Sequence, residues 1–503
     1  MNVWDFLSGA AARGATLPAL REGPRALTYG ETLRAAQALA AGLHHRGVRP
    51  GDRVACLMQN GIDHLLAYFA AAATGAILVS LNTRLAVGEQ QAILDHAAAR
   101  LLLHDDAHAE RAAALAASLP GGIATVATLG DDGARRAPFA AARVGDDDPA
   151  HIYYTSGTTG APKGVVLTHR NVCTHALTAV RELSLDGADR WAHIAPMFHL
   201  ADAWATFAIT AVGGLHVFLP HFTAAAALDL LAAERITITN LVPTMLNLMV
   251  KEPDAAARHY ALRVMLSGGA PIAPDVVRAI LATFGCDYVQ TYGMTETSPY
   301  LTLSLLTPEL QRLPSERQLH WKCKTGRPFG GVELQVVDER GAPVPADART
   351  VGEIRVRGAT VTPGYWQNPA ATAAAFDADG FLRTGDLATI DAHGYVDIVD
   401  RKKDVIKTGG EAVYSVEVEN VLYAHPAVLE CAVYGVADEV WGERVTAAVV
   451  LRPGVTAGAD ELIAFCRDRI AHYKAPRRVE FLAALPRTGS GKITKKALRD
   501  GAR

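Results

Sequence analysis

The 503-residue sequence is short of the features that mark most specialised classes of protein. Its six cysteines (Cys56, Cys173, Cys286, Cys323, Cys431 and Cys466) lie far apart and form no C-x-x-C pair. That spacing argues against a zinc site and a disulfide framework, and fits a reducing compartment. Charge of one sign is also lacking. The 49 Lys and Arg nearly balance 52 Asp and Glu, for a formal charge of -3, which supports neither a nucleic-acid binder nor a polybasic membrane patch. The start, Met1-Asn2-Val3-Trp4-Asp5, has no basic stretch running into an apolar one, so no secretory leader is read. Long hydrophobic runs are missing as well. One long stretch without a charged residue, Leu65 to Leu81, contains Thr74, Gly75 and Ser80. It predicts a buried helix stopped at Gly75 and then a strand over 76–79, not a membrane span. No internal repeat or low-complexity block appears. A soluble, cytoplasmic protein with no integral membrane segment and no nucleic-acid partner is expected; a homodimer is left open.

What is present suits a large globular enzyme. Half of the residues are hydrophobic, many of them alanine, and the length exceeds what one core usually serves, so two or more domains are expected. Helical spacing over 31–46 leads to a buried strand over 53–58. The 65–81 pair repeats that order, and Trp204–Val212, Gly213-Gly214 and Leu215–Leu219 repeat it again. Helix, glycine and strand in succession signal βαβ units and a parallel sheet. An alanine-rich helix is expected over 108–119 and a dispensable loop over 121–144. After about Cys323 the texture changes to alternating segments, 332–337 and 352–358, joined by turns, which suggests an antiparallel meander. Asp391-Ala392-His393-Gly394 turns into a further strand at 395–399. The basic run Arg401-Lys402-Lys403 follows, and beyond it lies about a hundred residues with an αβ pattern of their own. The boundary is expected there, giving domains 1–400 and 401–503.

The strongest local signal is Tyr154-Thr155-Ser156-Gly157-Thr158-Thr159-Gly160-Ala161-Pro162-Lys163-Gly164, set between a short apolar segment and a strand. Glycines for tight turns, four hydroxyls as donors and one lysine suit a polyphosphate, whose oxygens need many donors and little bulk. It is not a Walker A loop, because Pro162 stands where that spacing needs glycine.

This loop resembles the phosphate-binding signature of the adenylate-forming superfamily, which includes acyl-CoA synthetases, non-ribosomal adenylation domains and firefly-type luciferases. Four more segments resemble that family's motifs in order. They are Gln290-Thr291-Tyr292-Gly293-Met294-Thr295-Glu296, Thr384-Gly385-Asp386, Asp400–Asp404 with Gly409-Gly410-Glu411, and Pro486-Arg487-Thr488-Gly489-Ser490-Gly491-Lys492. The resemblance runs from about 154 to 492. It implies an α/β fold: a large N-terminal domain of α/β layers with a distorted β-barrel, and a small C-terminal α+β lid, the active site lying between them. It also implies ATP-dependent ligation of a small-molecule carboxylic acid to coenzyme A through an acyl-adenylate, with Mg²⁺.

The resemblance also distributes roles. Thr155 to Gly160 and Lys163 would cradle phosphates. Glu296 would hold Mg²⁺, a hard cation that takes oxygen ligands. Tyr292 would stack on adenine, with Gln290, Thr291 and Gly293 beside it, and Thr295 would contact the α-phosphate region. Asp386 and Arg401 would take the ribose, a carboxylate being able to accept from both hydroxyls. Lys403 would sit at the pivot. Gly409, Gly410 and Glu411 would line a channel for the pantetheine arm, since backbone without side chains can border a narrow passage; a plain turn between strands is the other reading. Lys492 would place a cation where two anions meet during adenylation, lowering the barrier. His199, in Pro196-Met197-Phe198-His199, reads either as a contact to the acyl group or as a structural histidine. Leu241–Thr244 and Ser267-Gly268-Gly269-Ala270 match wall segments, and the paired glycines suggest room for a medium-chain fatty or aryl-type acid.

Rivals stay open at this point. A ligase that stops at the adenylate or loads a carrier protein shares these motifs, as do an amino-acid-activating domain, a luciferase-type oxidase and a non-catalytic nucleotide binder. Amino-acid activation needs a carboxylate near Phe198–Ala201 for the amine. None is obvious there, although Asp202 stands close by.

Overall fold

The computed structural model describes residues 1–119, 123–127, 139–155, 162–270, 272–487 and 493–501. The chain divides into two compact units, 1–333 with 357–382, and 334–356 with 383–503.

The first unit holds two sheets. The seven-stranded one runs Gly364–Tyr365, Lys163–Thr168, Pro149–Thr155, Ile77–Ser80, Arg53–Leu57, Leu101–His104 and Ala124–Ala127. The last five strands are parallel and the first two join antiparallel. The nine-stranded sheet runs Arg327–Pro328, Tyr300–Leu303, Asp287–Gly293, Val264–Gly268, Ile238–Leu241, Arg190–His193, Leu215–Phe218, Pro18–Glu22 and Arg25–Thr28. Its central strands are parallel, and antiparallel strands close both edges. Strands buried on both faces need near-continuous apolar runs, which Leu101–His104 and Ile77–Ser80 supply.

The helix Ile62–Thr74 is buried along its whole length. It therefore carries no polar face, which is why its sequence imitates a membrane segment. Gly75 ends it at φ 71°, and the chain reverses into Ile77–Ser80. No helix among the described residues is long and apolar enough to cross a membrane. The helices expected over 31–46, 108–119 and 204–212 stand at Tyr29–His45, Ala109–Ser118 and Leu200–Val212.

The expected loop over 121–144 needs correction. Ala124–Ala127 is the edge strand of the seven-stranded sheet, pairing parallel with Leu101–His104. Its sequence, Ala-Thr-Val-Ala, is too short and too exposed to show a buried-strand pattern. Residues 120–122 and 128–138 lie outside the described residues.

In the second unit, a four-stranded sheet runs Val332–Val337, Gly352–Gly358, Leu382–Ile390 and Val396–Arg401. This is the expected meander. The C-terminal sheet has the order Glu411–Val413, Ile406–Thr408, Gly442–Leu451 and Val428–Asp438, with Arg478–Phe481 parallel to Gly442–Leu451. The helices Ser415–Tyr423 and Ala459–Arg467 bring Val418, Leu422, Leu462 and Cys466 to its core. The division into units falls differently from a cut at residue 400. Strand Val396–Arg401 belongs to the meander by hydrogen bonding, while Asp400 at its end accepts a hydrogen bond from the Ser415 backbone N–H.

Gly75→Ala should lower stability by about 1 kcal/mol or more, because a side chain strains this left-handed conformation and its Cβ would meet Pro50 and Val144 at 3.1 Å. A thermal melt of the variant against the wild type measures it.

Candidate active site

In the first unit, the two ends of the hydroxyl-rich loop are held in register. Thr155 closes one strand, Lys163 opens the next, and the two residues pair. Ser156, Gly157, Thr158, Thr159 and Gly160 lie outside the described residues. The Lys163 ammonium stands 5.2 Å from the centre of the Tyr365 ring. The Tyr365 hydroxyl in turn donates to Glu296 Oε1 at 3.0 Å. Burial, reinforced by the Glu296 charge, pushes the Tyr365 hydroxyl above its ordinary range, so it stays a donor. The predicted phosphate lysine and the predicted metal carboxylate are thus linked through one tyrosine.

Glu296 is 7% exposed and sits in the short 3₁₀ turn Thr295–Thr297, and its carbonyl accepts from Thr362 N–H at 2.8 Å. Thr297 Oγ1 ties the turn to Met294 O and Pro299 O at 3.0 and 2.6 Å. At Gly293 a Cβ would come within 1.8 Å of Pro299 O, so only glycine lets the two backbones approach. Thr295 and Tyr292 are both half-buried beside it.

On the neighbouring strands, Gln290 Nε2 donates to Ala270 O at 2.9 Å, and Thr291 Oγ1 donates to Ser267 O at 3.1 Å. These bonds fix the Ser267–Ala270 segment against Gln290–Gly293. One expectation changes. A Cβ on Gly268 would lie 2.3 Å from Thr291 Oγ1, so Thr291 fills the space that its missing side chain was expected to leave for an acyl chain. Beside Gly269, a Cβ would meet only Val242, at 3.7 Å.

His199 occupies the cap position before helix Leu200–Val212, its ring 4.7 Å from that of Phe198. The backbone leading to it is clamped from both sides. Asn60 Oδ1 accepts from Met197 N–H at 2.8 Å, and the Tyr68 hydroxyl donates to Met197 O at 2.9 Å. Asn60 Nδ2 also reaches His193 O and Ala195 O at 3.0 and 2.8 Å.

Asp202, the acid close to where amino-acid-activating relatives need one, is fully buried. Its Oδ2 lies 2.5 Å from His193 Nδ1, and Oδ1 accepts from Trp191 Nε1–H at 3.3 Å. His193 Nε2 continues to His216 Nδ1 and His216 Nε2 to Thr210 Oγ1, each at 3.0 Å. Burial raises the Asp202 carboxyl above its usual range, countered by His193, and depresses His216. This acid is spent on the fold.

In the second unit, Asp386 and Arg401 face each other across adjacent strands, Nε to Oδ1 at 3.3 Å. Asp386 is 6% exposed, and Gly385 O accepts from Lys402 N–H at 2.9 Å, next to the Asp386–Arg401 pair. Lys403 is exposed at the strand's end. Gly409 and Gly410 form a two-residue hairpin turn between Ile406–Thr408 and Glu411–Val413, with φ 59° and 85°. Two positive φ angles in such a turn require glycine, so the turn alone accounts for this pair. The Trp441 ring lies 3.1 Å from where a Cβ on Gly409 would be. Glu411 is exposed. Lys492, with Thr488 to Gly491, lies outside the described residues.

Sequence reasoning missed Tyr365, Asn60, Tyr68 and His193. Only Asn60 carried a signal, as a polar residue between a buried strand and a buried helix.

Two mixed sheets with parallel centres, a separate αβ unit, and a carboxylate and a lysine linked through Tyr365 make up the frame. Residues 7–366 match the AMP-binding enzyme family and residues 417–492 the AMP-binding enzyme C-terminal domain. The chain belongs to this family of adenylate-forming enzymes, and is of the acyl-CoA synthetase type. It is 40% identical over 487 residues to a feruloyl-CoA synthase of an Amycolatopsis species, covering 96% of this chain and 95% of that protein. It is 38% identical to a long-chain-fatty-acid–CoA ligase of Thermus thermophilus, over 99% of this chain and 95% of that one. Among solved structures, ATP-bound MatB from Rhodopseudomonas palustris superposes with a TM-score of 0.88 at 32% identity, covering 100% of this chain and 99% of that one.

Asp202→Ala should destabilise the protein by about 3–5 kcal/mol, since it leaves His193 and Trp191 Nε1–H buried without their partner. The fall in denaturation midpoint in urea measures it.

Proposed function

We propose that this enzyme joins an aryl-type or medium-chain fatty acid to coenzyme A in two half-reactions. In the first, a carboxylate oxygen attacks the α-phosphorus of ATP. An acyl–phosphate bond forms, the bond to the β-phosphate breaks and pyrophosphate leaves. In the second, the coenzyme A thiol loses its proton and attacks the acyl carbonyl carbon, and AMP departs with the bonding electron pair. Holding thiol and adenylate in line supplies roughly 7–11 kcal/mol of barrier lowering, so no dedicated protein nucleophile is needed.

The observation that supports this assignment most directly is the Lys163–Tyr365–Glu296 link at the exit of the hydroxyl-rich loop. Lys163 and the loop hydroxyls bind the phosphates. Glu296 fits Mg²⁺: it is a largely buried oxygen donor, and that cation commonly uses one or two carboxylates with phosphates and waters. Bound there, Mg²⁺ would supply charge neutralisation on the phosphate oxygens. Tyr365 orients the carboxylate. Asp386, aligned by Arg401, takes the ribose hydroxyls. Tyr292 stacks on adenine, and Thr295 contacts the α-phosphate. Lys403 is the pivot, and Gly409-Gly410-Glu411 border the pantetheine arm. Lys492 neutralises the two anions that meet in adenylation.

The acid class rests on two supports. The relatives named above are a feruloyl-CoA synthase and a fatty-acid ligase. The burial of Asp202 also removes the acid that an α-amine would need. His199 and Phe198 border the acyl group in this reading.

The test is to incubate the protein with ATP, Mg²⁺ and coenzyme A against aryl, medium-chain and long-chain acids and amino acids, following products by mass spectrometry. Acyl-CoA and AMP from an aryl or medium-chain acid is the expected result. Acyl-AMP that accumulates unaltered by coenzyme A would move the acceptor to a carrier protein. In the same assay Lys492→Ala should slow adenylation by about 10²–10³-fold; unchanged adenylation would remove Lys492 from its role.

A further inference from the structure

The segment after Lys492 is anchored more heavily than a surface helix requires. Helix Lys495–Gly501 begins three residues beyond that lysine. Lys495 Nζ forms an ion pair with Glu419 Oε1 at 2.8 Å, both side chains only 15% exposed, and donates to Ser415 Oγ as well. Ser415 is fully buried, and its backbone N–H donates to Asp400 Oδ2. Asp400 is 2% exposed, and its other oxygen accepts from Arg401 N–H at 2.7 Å. Glu419 Oε1 accepts from Val433 N–H at 2.8 Å, so the acid is fixed to the C-terminal sheet independently of the lysine. One turn along the helix, Arg499 pairs with Asp404.

Two of this helix's three cations, Lys495 and Arg499, therefore reach back to the segment 400–404 or to the residues holding it. An exposed helix gains little from such pairs, and a buried pair pays a desolvation cost that often cancels its attraction. Stability alone gives little reason to bury Lys495 against Glu419. Geometry gives a better one. Before the helix, Arg487 and Ile493 form a β-bridge and Thr494 N–H donates to Pro486 O at 2.9 Å, joining the chain on either side of residues 488–492. Three residues of chain reach at most about 10 Å, so fixing Lys495 restricts where the residue-492 side chain can be delivered.

We propose that Lys495, with Arg499 as a second tether, is a positioning residue for adenylation: it ties the chain following Lys492 to the Asp400–Asp404 segment, so that the setting of that segment decides where Lys492 is presented. This rests on the role given to Lys492 above. Lys495 touches no substrate in this scheme. The thioester-forming half-reaction, which does not use Lys492, is insensitive to it.

The test separates the half-reactions. Lys495→Met, Lys495→Arg and Lys492→Ala are compared with wild type in ATP–pyrophosphate exchange, and the lysine-495 variants in coenzyme A thioester formation from presynthesised acyl-adenylate. Lys495→Met should slow exchange by about 10–10²-fold, as displacement of a catalytic group does, with thioester formation within about twofold of wild type. Lys495→Arg, which keeps the cation, should restore most of the exchange. The double variant Glu419→Gln/Lys495→Met, which leaves no buried unpaired carboxylate, guards against simple misfolding and should show the same split. An equal fall in both half-reactions for the double variant, or a fall in neither, overturns the proposal. Unchanged exchange in Lys492→Ala would overturn the role of Lys492 itself, a separate failure from that of its tether.

Discussion

A polar group that enters a protein interior must find a partner there, and one carboxamide meets that demand where the two sheets of the first unit come together. Strand Arg190–His193 ends among buried residues, and the chain continues to Phe198 without a neighbouring strand. The His193 carbonyl still accepts from Leu219 N–H at 3.0 Å, but the carbonyl of 195 and the N–H of 197 lie beyond the ladder. An unmet buried group costs about 1–3 kcal/mol, so the segment could not hold its path unaided. Asn60, just beyond the end of a strand in the other sheet, partners both and also donates to His193 O, and Tyr68 takes the carbonyl of Met197. The segment leading to His199 is thereby set by side chains from another part of the fold.

The same economy explains Asp202. Its position in the sequence invites a recognition role, while its surroundings give it a structural one. With Trp191 and His193 as donors it holds the first turn of helix Leu200–Val212 against the strand Arg190–His193. Asn60 and Asp202 act on the two sides of Phe198–His199, one on the chain entering that segment and one on the helix leaving it. Phe198–His199 is thereby fixed by the fold itself, from the chain on both sides of it.

Much of this was legible in the sequence because parts of it are local. The helix–glycine–strand order of 62–80 follows from apolar spacing and one left-handed glycine, and both appear where they were expected. The order of the motifs gave the family. What could not be read is what depends on long-range pairing. Tyr365 lies 69 residues from Glu296, and it reaches that carboxylate because Gly364–Tyr365 pairs with Val165–Val166 at the sheet edge. Two residues of strand carry no periodicity. The edge strand Ala124–Ala127 is invisible for the same reason. Gly268 shows the opposite error. Read alone, its missing side chain looked like room for a substrate, yet the space is taken by Thr291 on the adjacent strand.

The two units show the same distinction between local and distant constraints. In the first, Lys163 is set by its strand pairing with Thr155, and Glu296 by the distant Tyr365 hydroxyl. In the second, Asp386 and Arg401 sit opposite each other in one antiparallel pair, and the guanidinium fixes the direction of the carboxylate. Farther along the second unit the fixing is again done by distant pairs: the Arg487–Ile493 bridge and the Lys495–Glu419 pair hold the chain on either side of residues 488–492 to partners that no local pattern announces.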